Sequence, residues 1–503
     1  MPDLTLIPAT NATFPAPVEN RHLIGGKWVA SAETFDRRSP AHDTLVSRSA
    51  RGGEAEAQAA IAAARAAFDG WSRTSGKDRA ALLLRMADLI DRDRARIALL
   101  ETLESGKPVS QAMGETEGAA DLWRYAAALA RTLHGDSHNS LGSDMLGLVL
   151  KEPVGVVALI TPWNFPFLIL SQKLPFALAA GCTCVVKPSE LTPSTTALMG
   201  ELLIEAGLPA GAVNIVLGHG QPVGATLSSH PDVDMVSFTG STAVGKGIVA
   251  AAAGTLKRVS LELGGKNPQV VFPDADLDGA ADAIVFGVCF NAGECCNSGS
   301  RVIVHESVAK ALTDKVVALS RKVPFGDPLA PATKVGAIIS PQHQARIDGY
   351  VQGAVRAGAT VALGGGTLTV PGLPGQFYQP TVVTGVTPDM AIARDEVFGP
   401  VLSVLTFRDM DGAIALANAA SYGLSAGVWS ESVHTCLTFA RAVRAGTVWT
   451  NTWMDGYAEL PFGGVRESGQ GRELGRYGVE EFLEVKTVQM RIGRTRSPWV
   501  TTR

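Results

Sequence analysis

The 503-residue chain is 46% hydrophobic and 18% charged with a mean hydropathy of +0.15, which excludes a disordered protein and requires a large buried core. Lys and Arg number 44 against 48 Asp and Glu, a net charge of −4 with no long run of one sign, which argues against nucleic acid or an anionic membrane as the main partner. Length suggests about three domains, or one large α/β unit carrying a second, with room for a cleft between them.

The opening MPDLTLIPAT has no basic segment leading into an apolar one, so no secretory signal is expected and the chain is expected in the cytoplasm. From Glu54 to Asp69, residues Ile61, Ala64 and Phe68 recur at helical spacing. From Asp78 to Ser105, residues Leu82, Met86, Ile90 and Ile97 mark a longer helix, so the first 130 residues read as largely helical. After Lys151 short apolar runs alternate with helical segments: Val154 to Ile160, Thr183 to Val186, Val213 to Leu217 and Met235 to Phe238. This alternation predicts a parallel sheet with its ligand loops at Thr161 to Pro166, Lys187 to Glu190 and Thr239 to Lys246. The most apolar stretch, Leu174 to Val186, is 13 residues long and broken by Pro175 and Gly181, too short for a membrane span.

A second α/β series follows Glu262, with strands at Gln269 to Phe272, Ser300 to Val304, Val401 to Phe407 and Ser425 to Trp429, and helices at Ala281 to Phe290 and Ser307 to Ser320. Met145 to Leu150 and the tail Leu483 to Ile492 alternate as strands without an obvious partner, and pairing with another subunit is expected. The six cysteines, Cys182, Cys184, Cys289, Cys295, Cys296 and Cys436, form no disulfide framework. Neither C-x-x-C nor a paired His/Cys spacing occurs and the nine histidines are scattered, so no metal site is expected.

The turn Phe238-Thr-Gly-Ser-Thr-Ala-Val-Gly-Lys246 joins a strand to a helix and offers backbone N–H groups to a phosphate. It lacks the second glycine of the dinucleotide fingerprint, and Gly247 stands where a P-loop needs a hydroxyl, so taken alone it is an ordinary helix cap. Lys187-Pro-Ser-Glu190 places a cation and a carboxylate at a strand end, suited to ribose hydroxyls or simply a solvated pair. Cys295 and Cys296 lie in a glycine-bearing loop where a thiol is reachable. Proximity to a helix N-terminus or a cation would lower the pKa of such a thiol, whereas Cys182, Cys184 and Cys289 read as inert core thiols. Asn164, between two prolines, suits an oxyanion donor, and Glu262, a lone carboxylate among apolar residues, suits a general base.

In order and spacing the motifs T-P-W-N-F-P from Thr161, K-P-S-E from Lys187, F-T-G-S-T from Phe238, E-L-G-G-K from Glu262, the cysteine loop Gly293 to Arg301, E-V-F-G-P from Glu396 and P-F-G-G-V-R from Pro461 resemble the NAD(P)-dependent aldehyde dehydrogenase superfamily. The resemblance runs from Ile24 to Thr487 and implies an α/β fold: a Rossmann-like parallel-sheet cofactor domain (1–132 and 151–261), a catalytic α/β domain (262–470) and a small β oligomerisation flap with the tail (133–150 and 471–503).

It also implies the site residues. Cys296 matches the nucleophile, with Glu262 as base, Asn164 as oxyanion donor, and Lys173 with Glu473 as a proton relay. Cofactor positions are Ile160, Thr161, Pro162, Trp163, Lys187, Ser189, Glu190, Gly220, Gly224, Phe238, Thr239, Gly240, Ser241, Val244, Leu263, Glu396 and Phe398. The substrate pocket is expected from Phe165, Ile169, Gln172, Phe290, Cys295, Asn297, Trp453 and Phe462.

The implied reaction runs through a Cys296 thiohemiacetal and a thioester, with hydride passing to nicotinamide. Glu262-assisted hydrolysis then gives a free acid, since coenzyme A acylating relatives lack this carboxylate. Glu190 would repel a 2′-phosphate, so NAD⁺ is expected over NADP⁺, with NADP⁺ possible. The stretch Asn451 to Glu459 resembles betaine and aminoaldehyde dehydrogenases, with Trp453 in an aromatic cage, although Gln172 is neither an aromatic wall nor a carboxylate clamp. Alternatives are a semialdehyde or a general aliphatic or aromatic aldehyde. From other classes, a thiol esterase or a silent binding protein remains open. A homo-oligomer, dimer or tetramer, is implied, acting on a small aldehyde and bound to neither nucleic acid nor membrane.

Overall fold

The computed structural model describes residues 4–493. Two large, mostly parallel sheets form its frame. The first has the order Gly469–Gln470, Arg258–Glu262, Met235–Thr239, Val156–Ile160, Thr183–Lys187, Val213–Ile215, His22–Ile24 and Lys27–Val29, its five middle strands parallel. The second has the order Thr360–Leu363, Thr381–Thr384, Val401–Phe407, Arg301–His305, Pro268–Val271, Ser425–Trp429 and Thr447–Thr450. Both inner strand sets are buried on two faces, which explains why they read as largely apolar runs rather than as alternation. Each sheet has its own apolar core, one centred on Met86, Trp123, Leu174 and Met199, the other on Val270, Ile303, Leu402 and Phe439.

Four expectations are corrected. The residues before Glu54 are strands, not helix, and the hairpin His22–Ile24 to Lys27–Val29 turns on Gly25 and Gly26, with φ 59° and 77°, a turn only glycines make cheaply. The helix expected from Asp78 to Ser105 is two, Gly76–Arg92 and Arg94–Ser105, separated at Asp93 (φ −97°, ψ 11°), where a short acidic side chain is a poor helix-interior residue. Pro175 does not interrupt its segment: the helix Pro166–Ala180 runs through it and stops at Gly181, φ 99°. Finally, Met145–Pro153 and Leu483–Arg491 pair with each other, antiparallel from Leu483 opposite Pro153 to Arg491 opposite Met145.

Asp136–His138 completes this third sheet, in which Leu483–Arg491 is an edge strand. The end of the tail, 494–503, lies outside the described residues. Leu6–Ile7 pairs with Phe325–Gly326, and Gly469–Gln470 returns to the first sheet beside Leu261 and Glu262. Among the described residues no helix is long and apolar enough to cross a membrane.

Candidate active site

The carboxyl ends of the first sheet's parallel strands carry the expected cofactor loops. Ile160 ends one strand, and the Thr161 N–H donates to the Lys187 carbonyl at 3.1 Å, tying two of those loops together. Lys187 is buried, its Nζ donating to the Pro188 carbonyl at 2.7 Å and lying 3.8 Å from Glu190, and burial lowers its pKa. The Glu190 carboxylate stands at the rim, its other oxygen 3.9 Å from Nδ1 of His219, a residue the sequence did not single out. Ser189 is taken up in its own turn, accepting from the Leu191 N–H. Gly220 and Gly224 bound a short irregular turn, with the Lys187 stem below Gly224.

Ser241 caps the helix Thr242–Ala252, accepting from the Val244 N–H, and Val244 itself is exposed. A Cβ on Gly240 would stand 2.4 Å from the Phe238 ring, so any side chain at this strand end would have to displace that ring. Leu263 packs under Gly245, whose Cβ would be 2.7 Å from it. Pro162 and Trp163 are half-buried, and the Trp163 ring meets Phe398 edge-on at 5.4 Å and His343 at 5.6 Å. Phe398 has φ +60° and its carbonyl is bonded to His343 Nε2 at 2.6 Å, so the imidazole braces a strained residue. His343 went unnoticed in the sequence, where a lone histidine on a helix carries no signal.

The loop after Glu262 meets the cysteine loop. Asn267 Nδ2 donates to the carbonyls of Cys296 at 2.7 Å and Ser298 at 3.0 Å, while the Gly265 N–H donates to Glu396 at 2.9 Å. A Cβ on Gly265 would fall 2.5 Å from the Cys296 carbonyl oxygen, and one on Gly264 would fall 2.5 Å from Glu396. The double glycine thus lets three functional segments touch. Asn267 is the residue the reading missed, although its place after that double glycine was a usable signal. Burial pushes the Glu396 carboxyl up to about 7.

Cys296 is half-buried, whereas Cys295 is buried. The Cys296 thiol is held well above its ordinary pKa, first by a hydrogen bond with Cys295, then by burial and by the negative charges of Glu396 and Glu262. The loop follows the helix Leu277–Cys289 and leads into the strand Arg301–His305, so no helix N-terminus of its own segment faces the thiol. Asn164 Nδ2 donates to the Glu294 carbonyl at 3.0 Å, which leaves the second amide hydrogen uncommitted. Glu262 is buried with neither carboxylate oxygen hydrogen-bonded, and its pKa lies well above the ordinary range through burial and the neighbouring Glu473, against the pull of Lys173 and Arg472. Lys173 pairs with Glu473 and donates to Ser237 Oγ at 3.0 Å.

Phe165, Ile169 and Cys295 form an apolar cluster, with Leu168, Phe290 and Met454 against it. Gln172 is half-buried on the same helix as Lys173, and Phe462 sits against the first core beside Glu473, the two exchanging backbone hydrogen bonds. One pocket expectation changes. Trp453 is turned into the second sheet, its indole lying over Gly287, Gly299 and Gly427 and 4.9 Å from Trp449, because three glycines leave a slot of indole size there; its neighbour Met454, φ +64°, faces the cluster instead. Asn297 is engaged with the Ser425 hydroxyl at 3.2 Å and so is tied to the second sheet.

The buried hydroxyls of Thr161 and Thr239 and both Glu262 oxygens, all at these strand ends, have no hydrogen-bond partner among the described residues. Together with the Lys187 and Glu190 pair and the capped helix, this donor set fits a bound dinucleotide.

Residues 28–488 match the model of the Aldehyde dehydrogenase family. A betaine aldehyde dehydrogenase of Bacillus subtilis is 42% identical over 472 residues, 93% of this chain and 96% of that protein. The NAD-dependent aldehyde dehydrogenase from Sinorhizobium meliloti has a crystal structure that matches with TM-score 0.96 at 50% identity, covering 99% of each chain. The betaine aldehyde dehydrogenase of Staphylococcus aureus, in complex with NAD⁺, matches with TM-score 0.93 at 38% identity over 96% of this chain and 97% of that one.

Proposed function

The chain belongs to the aldehyde dehydrogenase family, and from that premise we propose that it oxidises an aldehyde to a free carboxylic acid with NAD⁺, using Cys296 as nucleophile. The observation that carries this reading is the contact of three segments: Gly265 touches both the Cys296 carbonyl and Glu396, three residues after the unpaired carboxyl of Glu262.

Trp163, Lys187, Glu190, Ser241, Glu396 and Phe398 would hold the dinucleotide. NAD⁺, when bound, would supply the acceptor for the hydride. Cys296 Sγ, its proton lost to solvent at the cleft, bonds to the carbonyl carbon, and the oxygen that takes up the electron pair faces the free hydrogen of Asn164 and the Cys296 N–H, an interaction worth roughly 3–4 kcal/mol for one such donor. Loss of hydride from that carbon leaves the thioester. Glu262 takes a proton from water, the hydroxide adds to the acyl carbon, and the thiolate leaves; the Lys173 and Glu473 pair offers the proton a way out.

The apolar cluster of Phe165, Ile169, Cys295 and Met454 favours an uncharged aldehyde with an apolar body. Betaine aldehyde is the second reading, favoured by the names of the relatives. Aldehyde-dependent formation of NADH, measured across apolar, cationic and anionic aldehydes with NAD⁺ and NADP⁺, tests the proposal. Turnover with no aldehyde of the panel overturns the activity; betaine aldehyde coming first overturns only the apolar preference. The open edge of Leu483–Arg491 supports self-association into a dimer or tetramer, which light scattering measures directly.

A further inference from the structure

Two adjacent non-glycine residues just before the cysteine loop, Asn291 (φ +50°) and Ala292 (φ +55°), are left-handed. Such a pair is strained and persists only where its surroundings hold it. The holding group comes from elsewhere in the chain: Gln111, in the first turn of the helix Val109–Thr132, accepts the Asn291 N–H on Oε1 at 3.2 Å. Its Nε2 donates to Glu115 at 2.7 Å. Glu115 in turn takes the ammonium of Lys107, which is fully buried, bonded to Glu101 at 2.6 Å, and 4.4 Å from the centroid of the Phe165 ring. Both ends of the glutamine amide are therefore committed, and what fixes it is a buried ionic group.

Downstream, Asn291 Nδ2 donates to the Asn164 carbonyl at 3.1 Å and to the Glu294 carbonyl at 3.0 Å. The Glu294 carbonyl is the group that holds the Asn164 side-chain amide. We propose that Gln111 is a positioning residue: by pinning the left-handed turn at Asn291 it sets the Glu294 carbonyl, and through it aims the free Asn164 hydrogen at the oxyanion formed on the substrate. Gln111 touches neither thiol nor substrate, so it acts through Asn291. Lys107 and Glu115 serve as its anchor, and the same ammonium steadies the Phe165 ring from beneath. The inference rests on Asn164 being the oxyanion donor.

Gln111→Met removes the acceptor at nearly constant volume. We expect kcat for aldehyde oxidation to fall roughly 10- to 100-fold with the KM for NAD⁺ unchanged, and acylation by a p-nitrophenyl ester without cofactor to fall by the same factor. Alkylation of Cys296 by iodoacetamide, which forms no oxyanion, should keep its rate. Gln111→Glu retains an acceptor oxygen for the Asn291 N–H but loses the donation to Glu115, and its kcat should fall between those of the parent and Gln111→Met. In the double variant Gln111→Met with Asn164→Ala the losses should not multiply, because one acts through the other. Should Gln111→Met fail to fold, Asn291→Gly relieves the backbone yet removes both side-chain donations, and should reproduce the kcat loss with alkylation intact. Multiplying losses, or an alkylation rate that falls along with kcat, would overturn the proposal. If Asn164→Ala itself leaves turnover intact, the oxyanion assignment fails instead.

Discussion

The two walls of the cleft are made in different ways. On the cofactor side, Glu396 and Phe398 apart, which precede a strand of the second sheet, the main expected groups sit at the ends of buried parallel strands: Ile160 to Trp163, Lys187 to Glu190, Thr239 to Ser241, Glu262 and Leu263. Strand order alone brings them together. On the substrate side the surface is assembled from distant stretches, with Phe165 and Ile169 from one helix, Phe290 and Cys295 after another, Met454 from a late loop, and Lys107 and Gln111 behind. The first wall follows from local chain pattern, the second from packing. Changes on the cofactor wall should therefore alter which dinucleotide is used and how tightly. Changes where the walls meet should stop the chemistry.

The largest effect is expected at that meeting point. Glu262→Gln should leave the first turnover intact, giving a burst of about one NADH per site, and slow the steady state by roughly 10²- to 10⁴-fold; absence of a burst would move Glu262 into the oxidation half of the reaction. Next, Asn164→Ala should lower kcat by about 10²- to 10³-fold with little change in the KM for NAD⁺. A loss confined to KM would make it a binding residue.

On the cofactor wall, Glu190→Ala should raise the relative efficiency with NADP⁺ by on the order of tenfold, since one repelling charge at the rim is removed. An unchanged ratio would mean that the 2′-position lies elsewhere. The Glu396 carboxyl is pushed up to about 7 by burial; if it holds the dinucleotide as proposed, it accepts cofactor hydroxyls best when ionised and the KM for NAD⁺ should rise as pH falls below about 7, whereas a flat profile would remove it from the cofactor.

The smallest expected effect concerns stability. Burial raises the Glu262 pKa above its unfolded value, so the folded state holds the proton longer and loses stability as pH rises from the ordinary carboxyl range toward the folded pKa. Glu262→Gln should therefore melt above the parent by roughly 1–4 °C at pH 8 and by less at pH 5. The opposite trend would mean that the carboxylate is paired in solution.

The same contrast explains what was legible in the sequence. Strands at Val156–Ile160 and Met235–Thr239 could be read because burial on both faces leaves a largely apolar run, and the glycines at 240, 264 and 265 announce close approach of backbone. The burial of Trp453 was not legible, because the slot that takes it is made by Gly287, Gly299 and Gly427, glycines of three separate segments. Gln111 lies 180 residues from the turn it supports, and His343 reaches Phe398 across 55, distances over which a side-chain pattern carries no information. The pairing of Met145–Pro153 with Leu483–Arg491 was hidden in the same way: each segment announced a strand, and neither named its partner.

The central claim is a covalent bond between substrate and one sulfur, and mass spectrometry tests it most directly. The Glu262→Gln variant, mixed with aldehyde and NAD⁺ and quenched in acid, should yield a peptide spanning Cys295 and Cys296 heavier by one acyl group. The adduct should persist with Cys295→Ala and vanish with Cys296→Ser. An unmodified peptide despite NADH release, or an adduct that follows Cys295, would contradict the assignment.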